Sequence, residues 1–503
     1  MNIKRAKQEI TNTIKAYLAR DAFGEYQIPP VRQRPILLMG PPGIGKTQIM
    51  EQIAAETGVG LIAYTITHHT RQSALGLPYI DHHTYDGQEY AVTSYTMSEI
   101  LASVYDLMER TGVREGILFL DEINCISETL TPMMLQFLQC KTFGNQKLPE
   151  GWVIVAAGNP PEYNKSVREF DVVTLDRVKR IDVQEDYQVW KEYAYQRGLH
   201  SAVISYLDIR PDNFYKIEAA ADGLQFATAR GWEDLSALLT TYEALGLPVD
   251  REVVGQYIQL PRIAKDFANY LELYRKYQRV YRVDEIVAGQ WEAVRASEFA
   301  AAPFDEKLSV IGLILSHLSE HAHAAQRMDA LTDALYADLT RVKGALTTAP
   351  VAKALTAIIE DRSKELESGR ASGTLDTERK RRLQLEIAQL EQYLHAVERE
   401  NESDNDKAFD VLRTQFGAQT AKRAESVTTA GQSLDNAFAF LEQATGEGQE
   451  MVLFATELTA NPYTAWYIQN CGCEAYFRHN QALLFDDTQR HILDEIQKAK
   501  ESH

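Results

Sequence analysis

The sequence predicts an α/β core with a parallel β-sheet, followed by a helical lid and a mostly α-helical C-terminal region. Three observations lead to this fold class. Strand-like and helix-like runs alternate over residues 31–185, as they do in parallel α/β sheets. A glycine-rich loop that ends in Lys46-Thr47 joins the first of these strands to a helix. Helical periodicity dominates the chain from residue 186 onwards.

The composition is ordinary for a globular protein and argues against several kinds of partner. Of 503 residues, 45% are hydrophobic and 24% are charged, which is enough for several domains and a sizeable core. The formal net charge of −19 argues against a nonspecific surface for nucleic acid or anionic membranes. Because the sequence has no run of membrane-spanning length, no signal peptide and only four cysteines, we expect a cytoplasmic protein without membrane contact.

The first strand, predicted over 36–39, leads directly into the sequence GPPGIGKT at 40–47. This is the pattern of a phosphate-binding loop, and the helical pattern over 48–57 supplies the context that the motif requires. Glycines allow backbone N–H groups to surround phosphates, and the helix N-terminus favours negative charge. We expect Lys46 to reach the β- and γ-phosphates and Thr47 to hold Mg²⁺. The residues expected to contact the nucleotide are Gly40, Pro41, Pro42, Gly43, Ile44, Gly45, Lys46, Thr47 and Gln48.

The other elements of the core follow from shorter patterns. Residues 1 to about 22 predict an amphipathic helix. The turn dipeptide Asp86-Gly87 predicts a β-hairpin over 78–92, and a second short hairpin is predicted at 142–148. The alternation of strand-like and helix-like runs predicts the remaining core strands at 61–66, 117–121, 152–157 and 180–183.

Two of these strands end in polar residues that suit nucleotide hydrolysis. The strand at 117–121 ends in Asp121 and is followed by Glu122. Asp121 would lie at the carboxyl end of the strand, where it would hold Mg²⁺ directly or through water, and Glu122 would orient and deprotonate the attacking water. The next strand leads to Asn159, which could contact the γ-phosphate or the attacking water. A simple turn residue before Pro160 is the alternative interpretation of Asn159.

Together these motifs resemble the AAA+ ATPase family, and most closely its MoxR or dynein-related branch. The resemblance covers roughly residues 30 to 275, and the two predicted hairpins lie where that branch carries insertions. It implies an α/β P-loop NTPase fold and Mg²⁺-dependent hydrolysis of ATP. The motifs that carry it are GPPGIGKT at 40–47, LFLDEIN at 118–124, AAGNPPEYN at 156–164 and LDRV at 175–178.

The resemblance also implies roles for four polar residues. Asn159 matches the sensor-1 position of the family. Arg177 matches the position from which such proteins supply an arginine finger to the neighbouring subunit, and Arg180 is the alternative finger. Arg230 matches sensor 2, which reaches from the lid to the nucleotide of its own subunit, although Thr-Ala-Arg stands where Ser-Pro-Arg or Thr-Pro-Arg is more common. For Arg177 and Arg230, an ordinary surface arginine is the alternative.

The domains predicted from these patterns are an N-terminal helix at 1–30, the core at 31–185, the lid at 186–290 and a C-terminal extension at 291–503. Within the extension, a stripe of apolar residues predicts a short coiled-coil-like hairpin near 375–402. Polar composition predicts loops at 362–378 and 400–407. Partner docking and ring packing are both open roles for the extension. The apolar stripe consists of Leu383, Ile387, Leu390, Leu394 and Val397.

The resemblance implies an ATP-hydrolysing, homo-oligomeric ring, a hexamer in the family, which remodels or assembles a protein partner. Proteins of the MoxR branch act on partners with von Willebrand factor A domains, so a protein of that kind is the candidate client. Two other functions stay open: a nucleic-acid-linked NTPase motor of a defence or McrB-like system, and a nucleotide-gated scaffold that does not hydrolyse. The acidic charge weighs against nucleic acid, and Glu122 weighs against a scaffold.

Overall fold

The computed structural model describes residues 1–68, 76–127, 130–143, 146–163, 167, 170–220, 223–400 and 404–480. The chain forms two units. The first comprises Met1–Asp186 and Ile359–Ile387, and the second comprises Tyr187–Ile358 and the described residues from Ala388 onwards. The chain therefore leaves the first unit and later returns to it. The finer division of the sequence into four domains stays a prediction.

The first unit is built on a parallel five-stranded sheet. Its strands are β1 (Ile36–Met39), β2 (Gly60–Thr65), β3 (Pro78–Tyr85), β4 (Gln88–Tyr95), β5 (Gly116–Asp121), β6 (Thr142–Phe143), β7 (Gln146–Lys147), β8 (Trp152–Gly158) and β9 (Lys179–Asp182). The sheet has the order β2-β5-β8-β1-β9, and all its neighbours are parallel. The prediction of a parallel α/β core is confirmed, and each predicted core strand lies within one residue of an observed one.

Helices cover both faces of this sheet. They are α1 (Ile3–Leu18), α2 (Lys46–Thr57), α3 (Glu99–Thr111), α4 (Thr131–Cys140) and the short α5 (Val172–Leu175). Alternate side chains of β5 and β8 belong to two different apolar clusters, one on each face of the sheet. Every residue of β8 is buried. A strand buried on both faces needs apolar residues at almost every position, which is why the central strands β1, β5 and β8 appear in the sequence as apolar runs.

The N-terminal helix α1 is amphipathic, as predicted. Its buried side includes Ile10, Ile14 and Tyr17, which belong to the same apolar cluster as β1 and α2. Asn2 caps the helix, because its side chain accepts a hydrogen bond from the backbone N–H of Arg5 at 3.0 Å. The helix ends at Leu18, a few residues earlier than the pattern indicated.

Both predicted hairpins are present. Strands β3 and β4 pair antiparallel, and Asp86 and Gly87 at their turn have φ angles of 48° and 79°. Positive φ at both central residues is the geometry of the two-residue turns that suit the twist of a hairpin. Strands β6 and β7 form the second hairpin, whose turn residues 144–145 lie outside the described residues.

The second unit is mainly helical, but it contains one antiparallel hairpin, β10 (Lys216–Ala220) with β11 (Gly223–Ala227). The prediction of a helical lid at 186–290 did not include these two strands, which have five residues each and are only partly buried. The helices from Asp186 onwards are α6 (Tyr187–Arg197), α7 (Ser201–Ile209), α8 (Ala229–Leu245), α9 (Arg251–Tyr257), α10 (Pro261–Tyr281), α11 (Val283–Val287), α12 (Ala293–Ala301), α13 (Phe304–Ala345), α14 (Val351–Ser372), α15 (Thr377–Glu400), α16 (Asn405–Thr445), α17 (Gln449–Ala460) and α18 (Pro462–Cys471).

Helices α14 and α15 replace a predicted loop. Residues 362–372 belong to α14, so the loop predicted at 362–378 is reduced to the connection 373–376. The loop predicted at 400–407 was wrong from Asn405 onwards, where α16 begins, and residues 401–403 lie outside the described ones. Both loops were predicted from polar composition, which long exposed helices share with loops. In the described residues, none of the helices combines the length and apolar character needed to cross a membrane.

Candidate nucleotide site

The phosphate-loop sequence joins β1 to α2. Gly45 immediately precedes α2 and has a φ angle of 90°, which lies in the left-handed region that side chains disfavour. The loop therefore needs glycine at this position to turn the chain into the helix. Lys46 and Thr47 are the first two residues of α2, so both side chains start from the N-terminal end of a helix.

Three oxygens of the described part of the chain bind the ammonium group of Lys46. The residue is 8% exposed, and its Nζ donates to the carbonyl oxygens of Gly40 and Pro41 at 2.8 Å each. Nζ also donates to Oδ1 of Asn159 at 2.9 Å. These contacts satisfy the three N–H donors of an ammonium group and fix it between the phosphate loop and the end of β8.

Thr47 and Asp121 meet at the carboxyl edge of the sheet. Thr47 Oγ1 donates to Asp121 Oδ2 at 2.8 Å. Two ligand oxygens at neighbouring corners of a Mg²⁺ octahedron lie about 2.9 Å apart, given Mg–O distances of about 2.0–2.1 Å. The separation and the hard oxygen donors therefore fit a Mg²⁺ ion held by Thr47 and Asp121.

Glu122 follows Asp121 in a strained turn. Its φ angle is 56°, and its backbone N–H donates to Asp121 Oδ1 at 2.9 Å. Non-glycine residues in this region are uncommon and cluster at functional sites. Glu122 Oε2 accepts a hydrogen bond from Thr67 Oγ1 at 3.0 Å. Thr67 was not predicted, although a polar residue directly after a predicted strand was a usable signal once the strand order was known.

Asn159 is fixed from two sides. Its Oδ1 accepts from Lys46, while its backbone accepts from Asn124 Nδ2 at 2.8 Å and donates to Asn124 Oδ1 at 3.3 Å. Strand β8 lies between β5 and β1, which brings Asn159 between the paired acids and the phosphate loop. Asn124 is a second residue that was not predicted to have a role, although it belongs to the LFLDEIN motif.

Arg177 lies away from this group in its own chain. It precedes β9 by two residues and donates to the side chain of Gln139. Lys179 at the start of β9 is opposite Ile36 at the start of β1. Arg177 is therefore near the amino edge of the sheet, whereas the phosphate loop follows the carboxyl edge. The four residues of β1 alone span roughly 13 Å at about 3.3 Å per residue.

The other two arginines have separate surroundings. Arg180 lies within β9, and its Nε donates to Asp182 Oδ1 of the same strand at 2.8 Å. Arg230 lies in the first turn of α8 in the second unit, where Thr228 caps the helix by accepting from the N–H of Gly231 at 3.2 Å. The capping explains the Thr of the Thr-Ala-Arg sequence, and the sensor-2 role of Arg230 stays a prediction.

A parallel sheet with a phosphate loop, two acids and an amide at its carboxyl edge defines a P-loop nucleotide-hydrolysing domain. The particular family follows from a sequence comparison. Residues 35–178 match the AAA domain of the dynein-related subfamily, and this segment of the chain is an AAA ATPase domain of that branch. The match contains the phosphate loop, both acids, Asn159 and Arg177. The prediction of an AAA+ ATPase of this branch is confirmed for this segment.

The similarity of this chain to curated proteins and to solved structures is low. No curated protein matches the chain. The solved FIGL-1 AAA domain in complex with ADP is 15% identical, covers 46% of this chain and 68% of that one, and has a TM-score of 0.28. A second FIGL-1 AAA domain structure is 14% identical, with coverage of 55% and 85% and a TM-score of 0.29. NtrX from Brucella abortus in complex with ADP is 15% identical, with coverage of 41% and 45% and a TM-score of 0.24.

Proposed function

We propose that this protein is a Mg²⁺-dependent ATP hydrolase of the MoxR type, which works as a homo-oligomeric ring and remodels or assembles a protein partner. One observation carries the hydrolytic part of the proposal. Lys46, Thr47, Asp121, Glu122 and Asn159 converge at one edge of the sheet through hydrogen bonds of 2.8–2.9 Å between Lys46 and Asn159 and between Thr47 and Asp121. The ring, the client and the preference for ATP rest on the family resemblance.

Each residue has a defined task in this proposal. Lys46 binds the β- and γ-phosphates, and Asn159 contacts the γ-phosphate or the attacking water. Thr47 would hold Mg²⁺, Asp121 would hold it directly or through water, and the ion would offset negative charge on the β- and γ-phosphates. Glu122 accepts a proton from water as the water oxygen bonds to the γ-phosphorus, and the bond from that phosphorus to the β–γ bridging oxygen breaks to leave ADP and phosphate.

Thr67 restricts the carboxylate of Glu122. The 3.0 Å hydrogen bond occupies Oε2 and limits rotation of the carboxylate. A catalytic base must be held in a narrow range of positions to act on a water beside the γ-phosphate. Thr67 is therefore proposed as the residue that orients Glu122.

The position of Arg177 supports an oligomer. Arg177 lies near the amino end of β1, and the phosphate loop of the same chain follows its carboxyl end, roughly 13 Å further along the strand. A fixed cation is needed close to the γ-phosphate in the transition state. Arg177 is therefore proposed to serve the nucleotide of a neighbouring copy, with Arg180 as the alternative finger and Arg230 as the cation from the lid.

The β3–β4 hairpin is the proposed contact with the client. It exposes several apolar and aromatic side chains, among which Ile80 is 70% exposed. His83, Tyr85 and Tyr90 form a run of neighbouring rings with centroids about 6 Å apart. Exposed apolar residues gathered on one hairpin mark a surface for protein contact. A protein with a von Willebrand factor A domain is the proposed client.

The substitution Glu122→Gln tests the hydrolytic role. It removes the base and preserves the shape of the side chain, so we expect ATP hydrolysis to fall at least a hundredfold while ATP still binds. Phosphate release and ATP affinity would be measured for the wild type, Glu122→Gln and the control Glu109→Gln on the exposed side of α3. Hydrolysis at the normal rate in Glu122→Gln would contradict the assignment of the base. A wild type that binds ATP without hydrolysing it would instead indicate a nucleotide-gated scaffold.

A further inference from the structure

The side chain of Asn124 lies between the ends of β5 and β8. It is 3% exposed, and it comes two residues after Glu122. Its Nδ2 donates to the carbonyl oxygen of Asn159, and its Oδ1 accepts from the N–H of the same residue. One planar amide thus binds both polar backbone groups of Asn159. Only asparagine or glutamine carries such a donor and acceptor on one amide group.

Gly158 leaves the space that this amide occupies. A Cβ atom at residue 158 would lie 2.6 Å from Oδ1, 2.8 Å from Cγ and 3.1 Å from Nδ2 of Asn124. These three atoms are the nearest ones, and all belong to Asn124. Side chains do not approach this closely, so the contact requires glycine at residue 158 together with asparagine at residue 124.

Hydrogen bonds link the contact between Asn124 and Asn159 to Lys46 on one side and to the Glu122 turn on the other. On one side, Asn159 Oδ1 accepts from Lys46 Nζ. On the other side, the turn that contains Glu122 is bonded to β8, because the N–H of Ile123 donates to the carbonyl oxygen of Ala157 at 2.9 Å. Asn124 therefore links the turn of the proposed base with the backbone of the proposed γ-phosphate sensor.

We propose that Asn124 is a positioning residue for hydrolysis, which holds Asn159 and the Glu122 turn in fixed relative positions. This role rests on the proposed ATP hydrolysis. The bound amide sets the backbone of Asn159, and the backbone sets where its side chain points. A displacement of about 1 Å in such a group can cost roughly a hundredfold in rate. Initial nucleotide binding is proposed to depend mainly on Lys46 and the phosphate loop, to which Asn124 is linked through the hydrogen bond between Asn159 and Lys46.

The substitution Asn124→Asp tests this role with almost no change in shape. Aspartate keeps the acceptor and loses the Nδ2 donor, so its carboxylate would face the carbonyl oxygen of Asn159. We expect kcat to fall at least tenfold while the affinity for ATP changes less than threefold. In an Asn159→Ala background, Asn124→Asp should lower kcat by a smaller factor than in the wild type, because the part of its effect that acts through the Asn159 side chain is already lost.

Asn436 in the second unit offers a matched control. Its Nδ2 also donates to a backbone carbonyl, that of Val287, and it also lies against a glycine, Gly289. Asn436→Asp makes the same chemical change at a residue with no proposed part in hydrolysis, so it should lower the melting temperature and leave kcat unchanged. A purely structural role for Asn124 would give the same result as this control.

A second experiment tests the contact without relying on hydrolysis. Thermal unfolding of the full chain would be compared for Gly158→Ala, Asn124→Ala and the double variant. Gly158→Ala should lower the melting temperature in the wild type and have little effect in the Asn124→Ala background, because the clashing atoms are then absent. Equal decreases in melting temperature in both backgrounds would contradict the close contact between residue 158 and the Asn124 side chain.

The outcomes separate this role from the proposed function. If the wild type hydrolyses ATP and Asn124→Asp has the same kcat, only the positioning role is overturned. Absence of hydrolysis in the wild type would overturn the proposed function and the positioning role together.

Discussion

Each of the two units contains a buried lysine, and the two lysines have different surroundings. Among the described residues, Lys46 in the first unit is bonded to two backbone carbonyl oxygens and an amide oxygen. Lys191 in the second unit is 3% exposed and lies 2.7 Å from Asp208 and 2.6 Å from Glu457, which are both carboxylates. Lys46 is proposed to bind a ligand, whereas Lys191 joins helices of the second unit.

The partners of the two lysines also differ in how far away they lie along the sequence. Lys46 lies in a continuous motif, and its loop oxygens come from residues five and six positions away. Lys191 lies on α6, Asp208 on α7 and Glu457 on α17, so its ion pairs join distant parts of the chain within the second unit. A ligand-binding lysine can be found from a local pattern, whereas a structural ion cluster depends on tertiary packing.

The largest effect is expected at Lys46. Lys46→Ala removes the ammonium group that is proposed to bind the phosphates, so we expect ATP affinity to fall at least a hundredfold. The melting temperature without nucleotide should change much less. Binding of a fluorescent ATP analogue and thermal unfolding would be measured together. Retained affinity for ATP would contradict the ligand-binding role of this lysine.

The next effect is expected at Lys191. Lys191→Met leaves Asp208 and Glu457 close together without their shared cation, and breaking a buried ion pair in this way costs about 3–5 kcal/mol. Denaturant unfolding followed by tryptophan fluorescence would report the loss of stability. The triple variant with Asp208→Asn and Glu457→Gln removes all the charges and should recover much of it. Unchanged stability in Lys191→Met would show that this cluster is not structural.

A smaller effect is expected at Thr67. Thr67→Val removes the hydrogen bond to Glu122, and one such bond is worth about 1 kcal/mol. We therefore expect kcat for ATP hydrolysis to fall by roughly fivefold, with little change in ATP affinity. Thr111→Val removes a hydroxyl that bonds the backbone within α3 and serves as the matched control. Equal kcat in the two variants would contradict the orienting role of Thr67.

The smallest effect is expected at the β3–β4 hairpin. Ile80→Ser replaces an exposed apolar side chain, so the free energy of unfolding should change by less than about 0.5 kcal/mol. Basal ATP hydrolysis should also stay unchanged, because the hairpin is proposed to contact a partner. Unfolding and basal hydrolysis would be measured together. A clear loss of stability would indicate that Ile80 packs within the fold and does not serve a partner.

The sequence predicted the parts of the site that depend on neighbouring residues. Gly40 to Thr47, Asp121 and Asn159 were recognisable because each directly follows an apolar strand. Thr67 and Asn124 were missed, because their contacts with Glu122 and Asn159 depend on strand order and on the turn after β5. The sequence did not reveal this order.

The second unit was harder to predict for related reasons. The helical prediction was confirmed for most of it, but it missed the β10–β11 hairpin, whose two strands have only five residues each and are partly buried. The loop predicted at 362–378 is mostly helix, since exposed helices share the polar composition of loops. Lys191 and Glu457 could not be paired from sequence, because nothing local to either residue indicates the other.

The most direct test of the proposed function is ATP hydrolysis by a mixture of Lys46→Ala and Arg177→Ala chains. Each variant alone should be inactive, one for lack of the phosphate-binding lysine and the other for lack of the finger. In mixed oligomers, an Arg177→Ala chain provides an intact phosphate loop and a Lys46→Ala neighbour provides Arg177. We expect the mixture to regain part of the wild-type rate. No recovery in a sample shown by native mass spectrometry to contain mixed oligomers would contradict hydrolysis between subunits.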